Sequence, residues 1–308
     1  MITGATEAGE DKRIVMIRCA VKEKLSFEGV STMTRTNTLI KVVALAASLC
    51  VILFVAAAAT DESPMIGAST PVEELKALAS QGNADAMLEL GERLIQGQGV
   101  MSNTEEGLQW LHQAAAAGKN QAWYDIGFVY SNGVGVKLDM TEAMKYFRKG
   151  ADLGNADCQT SMGLIYQAGE RIPGGLKAAD PVEAAKWYGM AAEQGHTEAI
   201  QHLAMMNAMG MGIEQDDLEA VRWFRKGAEL GNADCKWGLG QCYLDGKGVQ
   251  QDSVMAYSLY SASLDGVEHP EQKKAMTARR DELGEALTAE QLKKAEPIIQ
   301  EWKAQEKK

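Results

Sequence analysis

The side chains best suited to metal chemistry gather between residues 202 and 211. His202, Met205 and Met209 fall at i, i+3 and i+7, one face of a helix, with Met206 and Met211 beside them. Imidazole and thioethers are soft ligands of the kind that hold Cu(I). Methionine also fills irregular cores, so packing is the competing account of this cluster. The cysteines after residue 60 are Cys158, Cys235 and Cys242. Cys235 and Cys242 are seven residues apart, roughly 10 Å along a helix, which exceeds the span of a disulfide. All three are expected to be free thiols serving as small buried hydrophobes. No Cys/His spacing suits zinc. The chain has 4 His, no His-Glu-x-x-His, no Gly-x-Ser-x-Gly and no Ser followed three residues later by Lys. Its many carboxylates are scattered and are expected to lie on solvated faces. The protein is therefore expected to be non-enzymatic, with no catalytic residues, no cofactor and no metal centre.

Glycine-containing turns of the form Gly-x-Gly-Val or Gly-x-Gly-Ile occur at Gly97, Gly133, Gly210 and Gly246. They lack the third glycine of a dinucleotide loop and follow helical rather than strand patterns. Charge points the same way. The 308 residues carry 31 Lys plus Arg against 42 Asp plus Glu, a net of −11. This excludes the basic footprint of a nucleic-acid or anionic-membrane binder. A hydrophobic content of 46% is enough for a packed core.

Val42 to Ala59 is one apolar run, preceded by Arg35 and Lys41 and closing on Ala57-Ala58-Ala59. A charged start, an apolar centre and small residues at the end describe a secretory signal peptide; the run also just suffices for a membrane anchor. Met33 opens a segment that suits the charged start, so residues 1–32 are expected to be a non-native extension. Residues 60–308 then hold 24 basic and 37 acidic side chains, a net of −13. The chain is expected to be exported, either periplasmic or anchored to the inner membrane facing the periplasm. That N-terminal segment would be its only membrane contact.

The remainder is periodic. Gly91, Gly127 and Gly163 are spaced by 36 residues, as are Gly97, Gly133 and Gly169. After an interval of 41 the spacing of 36 resumes, with Ala204 and Gly240 and with Gly210 and Gly246. Five units open near Ala86, Ala122, Cys158, Ala199 and Cys235. The five additional residues fall within Glu170 to Ala179, around Pro173-Gly174-Gly175, a segment expected to project as a secondary contact. Each unit predicts two helices. In the first, Ala122, Ile126 and Tyr130 share a face, and Gly127 marks a close helix approach. Asn103, Asp139, Asp180, Asp216 and Asp252 recur at one offset and suit N-caps of the second helix. Such units cannot bury an apolar face alone and must stack.

Unit two carries Ala122, Ile126-Gly127, Tyr130, Gly133, Gly135-Val136, Asp139, Ala143, Tyr146-Phe147, Lys149, Ala151 and Gly154. These residues resemble the Sel-one-like repeat family, relatives of tetratricopeptide repeats, over residues 86–267. Departures are Asn207 in place of the tyrosine of unit four, Gly107 in place of the alanine of unit one, and the missing Gly-x-Gly turn of unit three. The resemblance implies an all-α, α-α superhelix (a solenoid of about five 36-residue helix-turn-helix repeats with capping helices) that acts as a scaffold or adaptor for other proteins.

The expected organisation is an extension over 1–32, a leader over 33–59, a linker over 60–70, the solenoid over 71–267 and capping helices over 268–308. Thr70-Pro71-Val72-Glu73 predicts a capping box before a half unit, and Thr288 with Gln291 predicts another before the last helix. Core positions leave a stripe on the first helices formed by Tyr124, Phe128, Leu164, Met205 and Trp237, expected to be a concave face for a protein or peptide partner. The expected function is a protein-binding scaffold or regulatory adaptor of the bacterial envelope. A small-ligand or Cu(I) binder using the Met cluster is the alternative.

Overall fold

The computed structural model describes residues 66–67 and 69–304. The expected leader and extension lie outside these residues. Among the described residues all regular structure is helical. Helix α1 (Val72–Ser80) precedes five helical hairpins: α2 (Ala84–Gln96) with α3 (Thr104–Ala116), α4 (Gln121–Asn132) with α5 (Met140–Asp152), α6 (Ala156–Ala168) with α7 (Pro181–Glu193), α8 (Thr197–Met209) with α9 (Asp217–Glu229), and α10 (Ala233–Asp245) with α11 (Ser253–Ser263). Two cap helices follow, α12 (Pro270–Glu285) and α13 (Ala289–Ala304), and both pack on α11. Each helix from α1 to α11 packs on the next, and the first helices α4, α6, α8 and α10 also touch in series. The chain is thus an α-α solenoid whose inner wall is made by the first helices.

Helix starts follow local chemistry. All five Asx residues at the recurrent offset cap the second helices; the Asp139 carboxylate, for example, accepts from the Glu142 amide at 2.9 Å. Four of the first helices open two residues earlier than the sequence pattern indicates, and α4 opens one residue earlier. Asn83, Asn155 and Asn232 cap three of them, each accepting an amide three residues on, and His196 holds the same place in α8. The capping box foreseen at Thr70 does not form. Pro71 takes the cap position, and the Thr70 hydroxyl instead accepts from the Gly67 amide at 3.1 Å. Buried Arg93 holds this segment by donating to Thr70 O at 2.6 Å and Gly67 O at 2.9 Å, while pairing with Glu89 at 2.6 Å. The box at Thr288 and Gln291 does form, with the Thr288 amide donating to Gln291 Oε1 at 2.9 Å.

Within four of the five hairpins, a glycine of the first helix lies under one large residue of the second. Gly91 faces Leu111, Gly127 faces Phe147, Gly163 faces Tyr188 and Gly240 faces Tyr260. A Cβ built on Gly127 would stand 2.6 Å from the Phe147 ring. Between hairpins a second pairing governs spacing. Gly150 and Gly227 sit against the Cys158 and Cys235 thiols of the following unit, so a Cβ on either glycine would overlap sulfur. The same two positions elsewhere hold Ala114 with Ala122 and Ala191 with Ala199, all fully buried. Cysteine pairs with glycine and alanine with alanine, so the summed volume stays nearly constant. All three cysteines are free and buried, as expected.

Unit three corrects the sequence reading of its loop. The segment after Gly169 does not simply project. Ile172 and Leu176 pack against the core, and Gly174, with φ +74°, lies against Met140 at the start of α5. The second glycine of the ordinary turn does the same work. Gly135, with φ +67°, fits against Thr104 at the start of α3, leaving no room for a Cβ. The insertion keeps the inter-unit contact by another route.

Two substitutions test the steric account. Gly127→Val is expected to lower stability by about 2–3 kcal/mol through overpacking on Phe147. Gly189→Ala, in mid-helix with nothing within 4 Å of the new Cβ, is expected to raise it by about 0.5–1 kcal/mol. Urea denaturation of both variants gives the comparison. Ala122→Cys should destabilise by about 1–3 kcal/mol, and adding Ala114→Gly should recover part of that loss. A double-mutant cycle with no favourable coupling would refute the volume pairing.

Candidate functional site

Side chains on the inner wall come from positions that the two packing contacts leave unused. Between α8 and α10 they enclose a trough of about 440 Å³. Met205, Ala208 and Met209 form one wall and Trp237, Gly238 and Gln241 the other, with Ala220 and Phe224 of α9 at the floor. Gly238 rests directly on the Phe224 ring of that floor. A Cβ there would reach within 2.7 Å of the Phe224 ring. Met209 is 62% exposed, an unusual degree for a large apolar side chain. Trp237 stands against Tyr260 with ring centroids 3.9 Å apart and planes 21° off parallel. It also touches the cluster of Leu264, Val267 and Met276 that seats the cap. Its indole therefore has a packing role besides facing the trough.

The other stripe residues are placed differently. Phe128, 46% exposed, lines a second hollow of about 310 Å³ between α2 and α4, together with Glu92, Ile95, Gln96, Asp125, Val129 and Val134. Tyr124 lies between Phe128 and Phe147, at centroid distances of 6.3 and 5.9 Å. Leu164 is half-buried against the core of units three to five. Met205 and Trp237 share one trough, Tyr124 and Phe128 adjoin the other hollow, and Leu164 lies on the helix between those that carry them.

The methionine cluster is divided among environments. Met206 is fully buried, whereas Met205 and Met209 face the trough. The His202 ring stacks on Tyr188 at 4.7 Å and 7°, and burial holds its pKa below the usual histidine value. Asn207, where the repeat pattern has tyrosine, turns its amide back onto Leu203 O at 2.9 Å. Among the described residues, no group of three or more His, Cys, Asp or Glu is arranged to hold a metal ion.

Not every carboxylate is solvated, a correction to the expectation from sequence. Asp125 and Glu92 face one another across the 310 Å³ hollow. Asp157 of α6 adds a third negative charge nearby, and the Gln121 amide supports Asp125 from its own helix. Burial first, and the Glu92 charge second, push the Asp125 carboxyl up to about 7. Glu92 is raised as well, by burial, then by Glu89. Asp125 Oδ2 is buried with no donor facing it, and a proton shared with Glu92 would satisfy it. Nothing in the local sequence marks this pair, because the partners lie 33 residues apart and meet only when the units stack.

A family model described as the Sel1 repeat matches residues 84–119, 121–155, 156–196, 197–232 and 233–265. No curated protein matches. Among solved structures, a Sel1 repeat protein from Oxalobacter formigenes is 28% identical, with a TM-score of 0.55, covering 67% of this chain and 91% of that one. A protective antigen of uropathogenic Escherichia coli displaying an SLR fold is 22% identical, with a TM-score of 0.49, covering 75% of this chain. The present chain spans 55% of that antigen's length. A putative Sel1 repeat protein from Klebsiella pneumoniae is 17% identical, with a TM-score of 0.42, covering 70% of this chain and all of that one.

The Asp125 carboxyl makes stability depend on pH. Its folded pKa of about 7 lies above the unfolded value near ~4, so the folded chain holds a proton that the unfolded chain releases. Stability should fall as pH rises from about 4 through about 7 and then level. Asp125→Asn should flatten this dependence and gain about 2 kcal/mol relative to the parent at about pH 8, with little gain near pH 4. Urea melts across that range decide it, and parallel pH profiles for the two proteins would refute the assignment.

Proposed function

The chain belongs to the Sel1 repeat family, and from that premise we propose that it is a non-enzymatic protein-binding scaffold or regulatory adaptor of the bacterial cell envelope. The observation that carries this reading is the trough between α8 and α10. It is an apolar, aromatic-walled concavity with an exposed methionine at its lip, on the inner wall of a stacked-repeat protein. Concave surfaces with one or two large apolar anchors and a polar rim are what protein partners use. Tyr124, Phe128 and Leu164 would extend the contact along the wall, with Met205 and Trp237 at one end of it.

Placement in the envelope rests on the leader: the apolar run Val42 to Ala59 and its closing alanines. The net charge of −13 over residues 60–308 would then help choose among partners rather than drive affinity. A copper-binding role has narrower support. Met205 and Met209 present two thioethers to the trough, while Met206 is in the core and His202 is engaged with Tyr188.

A photo-crosslinking phenylalanine analogue at position 128 or 209 of the full-length chain, in living cells, tests the proposal. One dominant envelope protein should be captured from both positions, and its capture should fall about tenfold in a Met205→Glu background. The mature N-terminus read from the same sample should begin near residue 60 if the leader is cleaved. Crosslinks to no defined protein from either position would defeat the scaffold role.

A further inference from the structure

The trough between α8 and α10 has a chemical asymmetry that narrows its occupant. Its walls and floor are apolar: Met205, Ala208, Met209, Trp237 and Phe224. Its charged lining is three carboxylates, Asp217, Asp234 and Asp245, against one ammonium, Lys247. That ammonium is already 3.8 Å from Asp245. Asp217 accepts from the Gln215 amide at 3.1 Å, and Asp234 accepts from the Gln272 amide at 3.2 Å. Neutral amides hold these two carboxylates in place without neutralising their charge.

We infer, resting on the scaffold role proposed above, that this trough receives a peptide segment in which a large apolar side chain is followed or preceded closely by lysine or arginine. The trough of about 440 Å³ between Met205, Met209 and Trp237 admits one bulky aliphatic or aromatic side chain from above. Met205 and Met209, unbranched and flexible, adapt to its shape. Asp217 and Asp234 then face the flanking cation, and their fixed oxygens favour arginine's planar fork. An acidic or uncharged segment of equal hydrophobicity would leave the carboxylates without a countercharge and would be rejected. The four charged side chains belong to different segments: Asp217 to α9, Asp234 and Asp245 to α10, and Lys247 to the turn after it. The charge pattern is therefore a property of the assembled hairpins.

A random dodecapeptide library displayed on phage, selected against the full chain, tests the inference. Enriched peptides should carry Leu, Phe, Trp or Met within about three positions of Arg or Lys, the separation that one trough can span. A synthetic peptide of that consensus should lose about tenfold in affinity to the Asp217→Asn/Asp234→Asn variant, and a similar factor to Met209→Lys. Both changes lie at the exposed or half-exposed lip, and thermal melts serve to confirm that the fold is intact. Enrichment of acidic or uncharged peptides, no enrichment, or a consensus indifferent to both variants would overturn the inference. So would sedimentation showing a dimer that Met209→Lys dissociates, because the trough would then hold a second copy. If the library result is negative while position 128 still crosslinks one protein in cells, the scaffold role stands and this inference alone fails.

Discussion

Close contact between a residue without a side chain and a large one is the constraint on which this molecule depends. Gly127 under Phe147, Gly163 under Tyr188 and Gly240 under Tyr260 bring the two helices of a hairpin together at one fixed point. Each buried aromatic removes enough apolar surface to contribute about 1.5–3 kcal/mol. The contact also fixes the rotation of one helix about the other. Once that rotation is set, the opening Ala or Cys must face the preceding hairpin, and volume matching at Gly150 with Cys158 or Ala114 with Ala122 sets the step between units. The inner wall is then made of whatever the first helices have left over.

That remainder is where the molecule departs from its own repetition. Most units fill the position equivalent to Gly238 with a polar or aromatic-stacking side chain: Glu89, Asp125, Ser161 or His202. His202 stacks on Tyr188, whereas Gly238 lets α10 settle directly onto the buried Phe224 ring. One missing side chain thus brings two helices of neighbouring units into direct contact beneath the trough. Asp125 shows the opposite effect: the same position, filled by a carboxylate, meets Glu92 of the preceding unit and becomes a group that titrates near neutrality. Two sites of different chemistry come from one register position.

The insertion of unit three shows how tolerant this arrangement is. Five extra residues change the turn completely, but Gly174 still meets the start of α5, as Gly135 meets the start of α3. Loop length is cheap in free energy when the ends are already held. What the fold requires is a left-handed backbone lying against the preceding helix start, and Gly174, with φ +74°, supplies one.

The order of residues determined the five units, their helices, the Asx caps of the second helices, the free buried cysteines and the family resemblance. Those features follow from contacts within about one turn of helix or from a period long enough to read directly. The caps at Asn83, Asn155 and Asn232 were also legible in principle, each standing three residues before the opening Ala or Cys. The stripe of Tyr124, Phe128, Leu164, Met205 and Trp237 was legible only as a set of positions. Tertiary structure decided that Trp237 also supports the cap, that Leu164 leans on the core and that Met205 shares a trough with it. It decided as well that Glu92 and Asp125 meet, and that Asp217, Asp234 and Asp245 line one concavity. Such groups come from neighbouring units, and their separation depends on the angle at which hairpins stack. Side-chain volumes summed across the whole interface set that angle, and no local pattern in the chain encodes it.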